Sequence, residues 1–460
     1  MSAVTEPDIH PPHAARMASG ECDRAIVCDA AGPVPLSKFL AQVRGLAAQL
    51  PPARYAINLC EDRARFLLAF CAAALRGQVT LLPSSRAPAA VDEVRANYPG
   101  SYCLTDTTFA PPPPDCWRMP DELPELDGDM PRLDDAALIA IGFTSGSTGA
   151  PKPNLKTWGS FRTSTAQNLT ALRDLWLGAA TPHLVATVPP QHMYGMEMSV
   201  LLPLLGNVAV HAARPFFPHD VARALHDMPE PRLLVTTPVH LRALVQSGVV
   251  LPPLAGIVSA TAPLAQPLAA AAETQFGCEV RELFGSTETC IIARRRTARE
   301  SGWTLLPDVW LAPQPDGTLV HAAHLDAPIA LADVVEFDGD GRFHLRGRNT
   351  DLLEIAGKRA SLGDLTRKLL AIPGVVDGVV FQLADADAAG VRRIAALVVA
   401  PTLAESDLVR ALRGAIDPVF LPRPLRRVDA LPRNETGKLP HAALVALLRG
   451  GVQSGGLCGT

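Results

Sequence analysis

The sequence predicts an α/β protein: a large N-terminal domain of helix-flanked, largely parallel β-sheets and a small C-terminal α+β domain. Three observations predict it. Between residues 136 and 345, short apolar runs alternate with helical patterns, the rhythm of parallel strands joined by helices. Past Gly347 the rhythm becomes helix, strand, strand, helix over about 110 residues, enough for a separate domain. Finally, the apolar run Ala136-Ala-Leu-Ile-Ala-Ile141 leads directly into a Gly/Ser/Thr-rich loop, as a buried strand feeding a flexible turn would. The expected division is 1–349 and 350–460.

Element by element, residues 1–35 read as a loosely ordered lead-in. Ser37 is placed to cap a helix running to Leu50, and Arg63 to Arg76 reads as a helix stopped by Gly77. Val79–Leu82 reads as a strand. Ala110-Pro-Pro-Pro-Pro-Asp115 is a surface loop, because a proline run continues neither element. Strands are expected at Leu184–Val188, Val208–His211, Leu233–Thr236, Gly256–Ser259 and Glu279–Phe284. Met198 to Val210 is the longest apolar stretch; Pro203 and Asn207 interrupt it and it is too short to span a bilayer, so it reads as a buried helix. In the C-terminal domain, 362–372 and 405–415 read as helices, and 375–383 and 393–400 as strands. No internal repeat is visible.

Composition narrows the function. The 460 residues are 48% hydrophobic and 19% charged, as in an ordinary folded protein. Forty-two basic and 46 acidic residues leave a net charge of -4, no footprint for nucleic acid or an anionic membrane. The nine cysteines include no Cys-x-x-Cys pair, which fits reduced thiols in a cytoplasm and argues against a zinc site. The N-terminus lacks the apolar core of a signal peptide. A cytoplasmic protein is expected.

The most informative segment is Ile141-Gly-Phe-Thr-Ser-Gly-Ser-Thr-Gly-Ala-Pro-Lys152. Glycines let backbone approach a ligand, and N–H groups, hydroxyls and an ammonium are what a polyphosphate needs. It is neither a Walker loop nor a Rossmann fingerprint. Four other segments add to it. Glu282-Leu-Phe-Gly-Ser-Thr-Glu-Thr289 offers Phe284 to stack on a base and Glu288 to ligate Mg²⁺. Val188-Pro-Pro-Gln-His-Met-Tyr-Gly195 puts His192 and Tyr194 in a strand-end loop. Asp333, a lone acid within an apolar run, needs a partner that ribose hydroxyls would supply. Leu431-Pro-Arg-Asn-Glu-Thr-Gly-Lys438 presents a lysine on a turn-rich loop. Taken singly, an acid, histidine or lysine at such a place is more often structural or solvated; five in order are not.

These segments resemble those of the adenylate-forming superfamily of acyl-CoA synthetases, aryl-CoA ligases, peptide-synthetase adenylation domains and luciferases. The match lies in Thr144-Ser-Gly-Ser-Thr-Gly-x-Pro-Lys152, Phe284-Gly-Ser-Thr-Glu288, Gly347-Arg348 with Gly357-Lys-Arg359, and Thr436-Gly-Lys438, covering about residues 136–445. The resemblance implies the adenylate-forming fold and two half-reactions with ATP and Mg²⁺. A substrate carboxylate attacks the α-phosphorus of ATP and expels pyrophosphate; a thiol, of CoA or of the phosphopantetheine on a separate acyl carrier protein, then attacks the acyl-adenylate.

Residue by residue, the resemblance gives Thr144, Ser145, Gly146, Ser147, Thr148, Gly149 and Lys152 to the β- and γ-phosphates. Thr287 goes to the α-phosphate, Glu288 to Mg²⁺, and Phe284, Gly285 and Ser286 to the adenine side. Asp333 is given to the ribose and Arg348 to ribose or phosphate. Ser259, Ala260 and Thr261, with His192, Tyr194 and Gly195, line the acyl pocket, His192 as its gate. Lys438 bridges substrate carboxylate and α-phosphate, and Gly357 borders the thiol tunnel. Three departures stand out. Thr350, followed by Asp351, holds the usual hinge aspartate position; Asp333 lacks a preceding Thr-Gly; Pro153 replaces a common glycine.

Chain length and the residues near the gate, Met193, Tyr194 and Met196, suit an aromatic or medium-sized acid such as a hydroxybenzoate. The chain is similar in look to compact bacterial ligases that prime aryl-polyene or xanthomonadin-type pigments. Two alternatives stay open: a nucleotide-binding pseudo-enzyme with a regulatory role, and transfer of the adenylate to a non-thiol acceptor such as an amine.

Overall fold

The computed structural model describes residues 14–29, 32–109, 112–145, 151–176, 181–315, 317–348, 352–355, 358–386, 392–433, 437 and 439–450. The chain forms two compact units, residues 1–310 with 321–329, and residues 311–320 with 330–460.

The first unit contains two large sheets. The six-stranded sheet has the order 151–157, 138–145, 79–82, 55–58, 102–105, 116–118; its strands run parallel except Pro151–Thr157, which returns antiparallel along Leu138–Ser145. The nine-stranded sheet has the order 304–305, 290–295, 279–286, 256–259, 232–236, 183–186, 209–211, 25–29, 32–35. Its six central strands, from Glu279–Ser286 to Ala25–Asp29, are parallel, and they read as near-continuous apolar runs because helices cover both faces. Leu184, Val185, Leu233, Leu234, Ile257 and Val258 are all essentially inaccessible.

The predicted strand rhythm is present, with strands at His183–Ala186, Ala209–His211, Arg232–Thr236, Gly256–Ser259 and Glu279–Ser286. Helix Arg63–Leu75 starts where Asp62 accepts the Arg65 N–H and stops before Gly77, whose φ is +67°, a left-handed turn that glycine adopts without strain.

Three expectations need correction. The described part of the lead-in is not loose: Ala25–Asp29 and Gly32–Pro35 complete the nine-stranded sheet, with Met17, Ile26 and Val27 buried. An exposed-looking sequence is ordered here by strand pairing across long range. Ser37 does not cap its helix, which begins at Leu36 after Pro35; the first donors go instead to backbone, Leu36 N–H to Arg24 O and Ser37 N–H to Cys22 O, each 2.8 Å. The stretch 198–210 is not one helix: a π turn, Glu197–Leu201, and a short helix, Leu202–Leu205, precede a strand at Ala209, as Pro203 and Asn207 require.

The second unit holds a 377–386, 392–399, 425–427 sheet with helices Leu362–Leu370 and Glu405–Ala415, at the expected places. Its compact body begins before residue 350. The hairpin Asp333–Phe337/Phe343–Arg348 belongs to it, held by buried Phe343 and by Ser361 Oγ donating to Arg346 O at 2.6 Å. Among the described residues no helix is long and apolar enough to cross a membrane, and the described cysteines are all free thiols.

Arg24 secures the N-terminal segment. Its guanidinium donates to the carbonyls of Ser19 (2.7 Å), Pro203 (2.8 Å), Leu204 (3.3 Å), Ala25 (3.2 Å) and Val208 (3.4 Å), and burial lowers its pKa to about 10. Arg24→Met strands those carbonyls; the expected loss is roughly 2–4 kcal/mol of unfolding free energy, read as a lower urea midpoint at unchanged slope.

Candidate nucleotide and acyl site

The strand Leu138–Ser145 is buried through Ile139, Ala140, Ile141 and Phe143 because it lies between two neighbours, parallel to Val79–Leu82 and antiparallel to Pro151–Thr157. It emerges from the core at Thr144. The ladder pairs Thr144 with Lys152 and Ser145 with Pro151, so Thr144 and the exposed Lys152 face each other where the Gly/Ser/Thr segment begins and ends. Gly146, Ser147, Thr148 and Gly149 lie outside the described residues, as does the Ser145 side chain.

The second segment is a tight reversal. Strand Glu279–Ser286 turns at 287–289 and returns as Cys290–Arg295. Gly285 is required here: a Cβ would sit 2.1 Å from the Cys290 carbonyl oxygen. Ser286 and Thr289 close the turn reciprocally, Ser286 N–H to Thr289 Oγ1 and Thr289 N–H to Ser286 Oγ, each 3.1 Å. The Thr289 carbonyl meets His324 Nε2 at 2.7 Å, and the Glu288 carbonyl accepts from Lys156 Nζ at 2.9 Å. Thr144 Oγ1 donates to the Glu288 carboxylate at 3.2 Å. A Cβ on Gly142 would meet Thr287 Cγ2 at 2.9 Å and Met193 Cε at 3.1 Å. Three motifs far apart in sequence therefore touch at Gly142, Thr287 and Met193. Phe284 is half-buried, its ring centroid 5.4 Å from that of Trp303, which also carries the Arg295 guanidinium at 4.3 Å.

The third segment enters a helix. His192 stands at the N-terminal boundary of Met193–Met196. Gly195 lies against the Pro189 carbonyl, where a Cβ would approach to 1.9 Å. Tyr194 OH donates to Val258 O at 3.0 Å, and burial pushes its phenol well up. That bond ties the helix to the strand ending in Ser259, which is followed by buried Ala260 and by Thr261 at φ +82°, a left-handed conformation uncommon outside glycine. Thr187 and Thr236 hydroxyls meet at 3.0 Å, His240 Nδ1 reaches Thr187 Oγ1 at 2.9 Å, and Thr236 pairs in register with Ser259. The carboxyl edge of the parallel strands is thus polar, where open α/β sheets bind ligands.

In the second unit, the ladder pairs Asp333 with Arg348. Gly437 is anchored: Arg433 donates to both Asp377 oxygens, at 2.8 and 3.1 Å, and to Gly437 O at 2.8 Å. Thr350, Gly357 and Lys438 lie outside the described residues, and the Arg348 side chain with them.

Sequence reasoning missed Gly142, Lys156 and Glu197. Glu197 carries the signal applied to Asp333: an acid embedded in an apolar run, Met193 to Val210, must have a buried partner. Lys156 is signalled only by strand alternation, on the same side as Lys152 and Asn154.

The donor chemistry fits Mg·ATP. Glu288 and Thr144 offer hard oxygens at the sheet edge, and no described cluster of three His, Cys, Asp or Glu holds a metal by itself. Mg²⁺ is typically held by one or two carboxylates together with substrate phosphates.

Comparison with known proteins agrees. The AMP-binding enzyme family matches residues 43–316, reaching well before residue 136. A 4-coumarate–CoA ligase of Rhodobacter capsulatus is 31% identical over 312 residues, 65% of this chain and 74% of the relative. A 4-coumarate–CoA ligase of Halorhodospira halophila is 30% identical over 335 residues, 68% and 78% of the two chains. The structure of o-succinylbenzoate CoA synthetase from Bacillus subtilis with an acyl-adenylate superposes with a TM-score of 0.77 over 91% of this chain and 94% of that one, at 18% identity.

Gly285→Ala forces the 286–290 turn away from Cys290 and displaces Thr287 and Glu288 together. Acid-dependent ATP–pyrophosphate exchange is expected to fall about 100-fold or more, with the circular-dichroism spectrum unchanged.

Proposed function

The chain belongs to the AMP-binding enzyme family, and from that premise we propose an aromatic acid substrate with CoA as the acceptor. The chain is an AMP-forming acid–thiol ligase of the α/β adenylate-forming fold. What supports the aromatic reading is that two relatives of about 30% identity over most of their length are 4-coumarate–CoA ligases. The single observation that carries the site is the meeting of Gly142, Thr287 and Met193, with Thr144 on the Glu288 carboxylate.

A carboxylate is a poor electrophile because its oxygen leaves poorly; adenylation supplies a good leaving group. We assign the catalytic work to positioning and charge neutralisation, as phosphoryl-type transfer demands. Ser145, Gly146, Ser147, Thr148, Gly149 and Lys152, with Thr144, hold the β- and γ-phosphates. Thr287 donates to the α-phosphate. Glu288 would hold Mg²⁺, which would supply neutralisation of phosphate charge. Phe284, Gly285 and Ser286 border the adenine, and Asp333 and Arg348 bind the ribose side. His192, Tyr194, Gly195, Ser259, Ala260 and Thr261 shape the acyl pocket. Lys438 neutralises the charge developing between acid and α-phosphate. Rotation of the small domain about Thr350 then withdraws Lys438 and brings Gly357 to the thiol's path.

The finer likeness to aryl-polyene and xanthomonadin-type ligases predicts a carrier-protein phosphopantetheine instead of CoA, and one assay separates the two. Pyrophosphate release is measured with ATP, Mg²⁺ and a panel of aromatic and aliphatic acids, with CoA or a holo carrier protein. The expected result is release dependent on hydroxylated aromatic acids and stimulated by CoA. Stimulation by the carrier alone moves the acceptor; release only with aliphatic acids overturns the aromatic assignment.

Lys438→Ala is expected to lower adenylation by roughly 100-fold or more while thioester formation from supplied acyl-adenylate stays near wild type. Equal loss in both half-reactions contradicts the role given to Lys438. Glu288→Gln is expected to raise the Mg²⁺ concentration needed for half-maximal pyrophosphate exchange about tenfold; an unchanged Mg²⁺ dependence removes Glu288 as ligand.

A further inference from the structure

The turn that carries Thr287 and Glu288 is gripped from behind by two buried charges. Lys156 is 4% exposed, and its ammonium donates to the Glu288 carbonyl at 2.9 Å. Glu197, 1% exposed, sits in the π turn after the His192 helix; its Oε1 accepts from the Ile291 N–H at 3.2 Å and from Asn168 Nδ2 at 3.1 Å. One charge therefore holds the backbone before Thr289 and the other holds it after Cys290. Around them stand Cys290, whose thiol feels the Lys156 charge, and His324 on the Thr289 carbonyl. Burial pushes the Glu197 carboxyl up to about 7, opposed by the Ile291 amide, Asn168 and the Lys156 charge.

Such a pair is a poor choice for stability alone. Desolvating a lysine and a glutamate costs several kcal/mol each, and apolar residues of similar volume usually serve a core as well or better. Neither group faces solvent, and each places a hydrogen bond on the same backbone turn, Glu197 taking a second from Asn168. Glu288 is thereby fixed at both ends, its carbonyl by Lys156 and its carboxylate by Thr144. Lys156 reaches it from the strand that follows the Gly/Ser/Thr segment, so the two halves of a phosphate site share one rigid element.

We propose that Lys156 and Glu197 are positioning residues for the adenylation half-reaction, holding the 286–291 turn so that Thr287 and the Glu288 carboxylate stay aimed at Mg·ATP. The proposal rests on the assignment of Thr287 and Glu288 made above. Neither residue touches the reacting atoms; each acts through the backbone.

The test uses the full chain with Lys156→Met, which keeps the stem and removes the donor, and Glu197→Gln, which keeps an acceptor for Ile291 N–H and removes the charge. Hydrogen–deuterium exchange of amides 286–291 reads the grip directly. Pyrophosphate exchange gives KM for Mg·ATP and kcat, and thioester formation is measured from supplied acyl-adenylate. Lys156→Met is expected to speed exchange in the turn about tenfold or more and to raise KM for Mg·ATP by a similar factor. Thioester formation changes by less than about twofold, since it needs no Mg·ATP. Glu197→Gln shifts the same quantities in the same direction by less. Wild-type exchange in the turn and wild-type KM in either folded variant overturn the proposal. Where Lys156→Met fails to fold, Glu197→Gln decides alone. A loosened turn in Lys156→Met with unchanged Mg²⁺ dependence in Glu288→Gln upholds the grip and refutes the metal role of Glu288.

Discussion

A backbone reversal at the mouth of a buried sheet has to find partners for its own polar groups, and at Ser286–Ile291 that requirement organises the site. From Thr289 to Ile291 the turn is buried, and there its backbone groups are matched from inside. Ser286 and Thr289 pair with each other, His324 takes the Thr289 carbonyl, Lys156 the Glu288 carbonyl and Glu197 the Ile291 amide. These partners come from four separate stretches of chain. Satisfying the turn therefore draws together the strand after the phosphate segment, the His192 helix and the edge of the nine-stranded sheet. The proposed catalytic positions of Thr287 and Glu288 sit on that convergence, as a site that works by positioning requires.

The same economy recurs in the scaffold. Arg63 is fully buried and spends its guanidinium on Ser199 Oγ and on the carbonyls of Ala186, at 2.8 Å, and Val188, at 3.0 Å. It leaves the helix that follows the Tyr55–Asn58 strand of the six-stranded sheet and reaches the carboxyl end of a central strand in the nine-stranded one. Burial lowers its pKa to about 9. Arg24 acts alike on the backbone around Pro203 and Val208. In both cases a planar, five-donor cation satisfies carbonyls where strands or helices end without continuing. The loop holding His192 and Tyr194 begins where Arg63 holds Val188, so a scaffold interaction fixes the entrance to the proposed acyl pocket.

Much of this was legible in the sequence, for identifiable reasons. Parallel strands buried on both faces write themselves as apolar runs, the Gly/Ser/Thr segment stands out by composition, and the structure shows why Gly285 is glycine. The legible features are local. Non-local ones were not. The strands Ala25–Asp29 and Gly32–Pro35 have unremarkable composition and take their place by pairing with each other and with Ala209–His211. Helix 36–49 is capped by carbonyls of the preceding segment, which makes Ser37 a misleading signal. Lys156 looks like any strand lysine until the turn it serves is in place, whereas Glu197 was readable as an acid inside an apolar run. The early boundary of the second unit was hidden because the hairpin 333–348 earns its place by packing on Ser361 and helix 362–370.

The Lys156 ammonium of the first unit and the Gly437 carbonyl of the second are hydrogen-bonded in different ways, and the difference suits the proposed two-step reaction. In the first unit, Lys156 is buried and bound to backbone. In the second, the residue before Lys438 is held by Arg433, which is itself locked to Asp377 in a bidentate pair that remains partly exposed. A bidentate Arg–carboxylate pair fixes orientation as well as distance, so the loop's anchor is carried within its own unit. Each set of hydrogen bonds is contained within one unit, Lys156 on Glu288 in the first and Arg433 on Asp377 and Gly437 in the second. Such independence is what an enzyme needs if one lysine must be present for adenylation and absent when the thiol attacks.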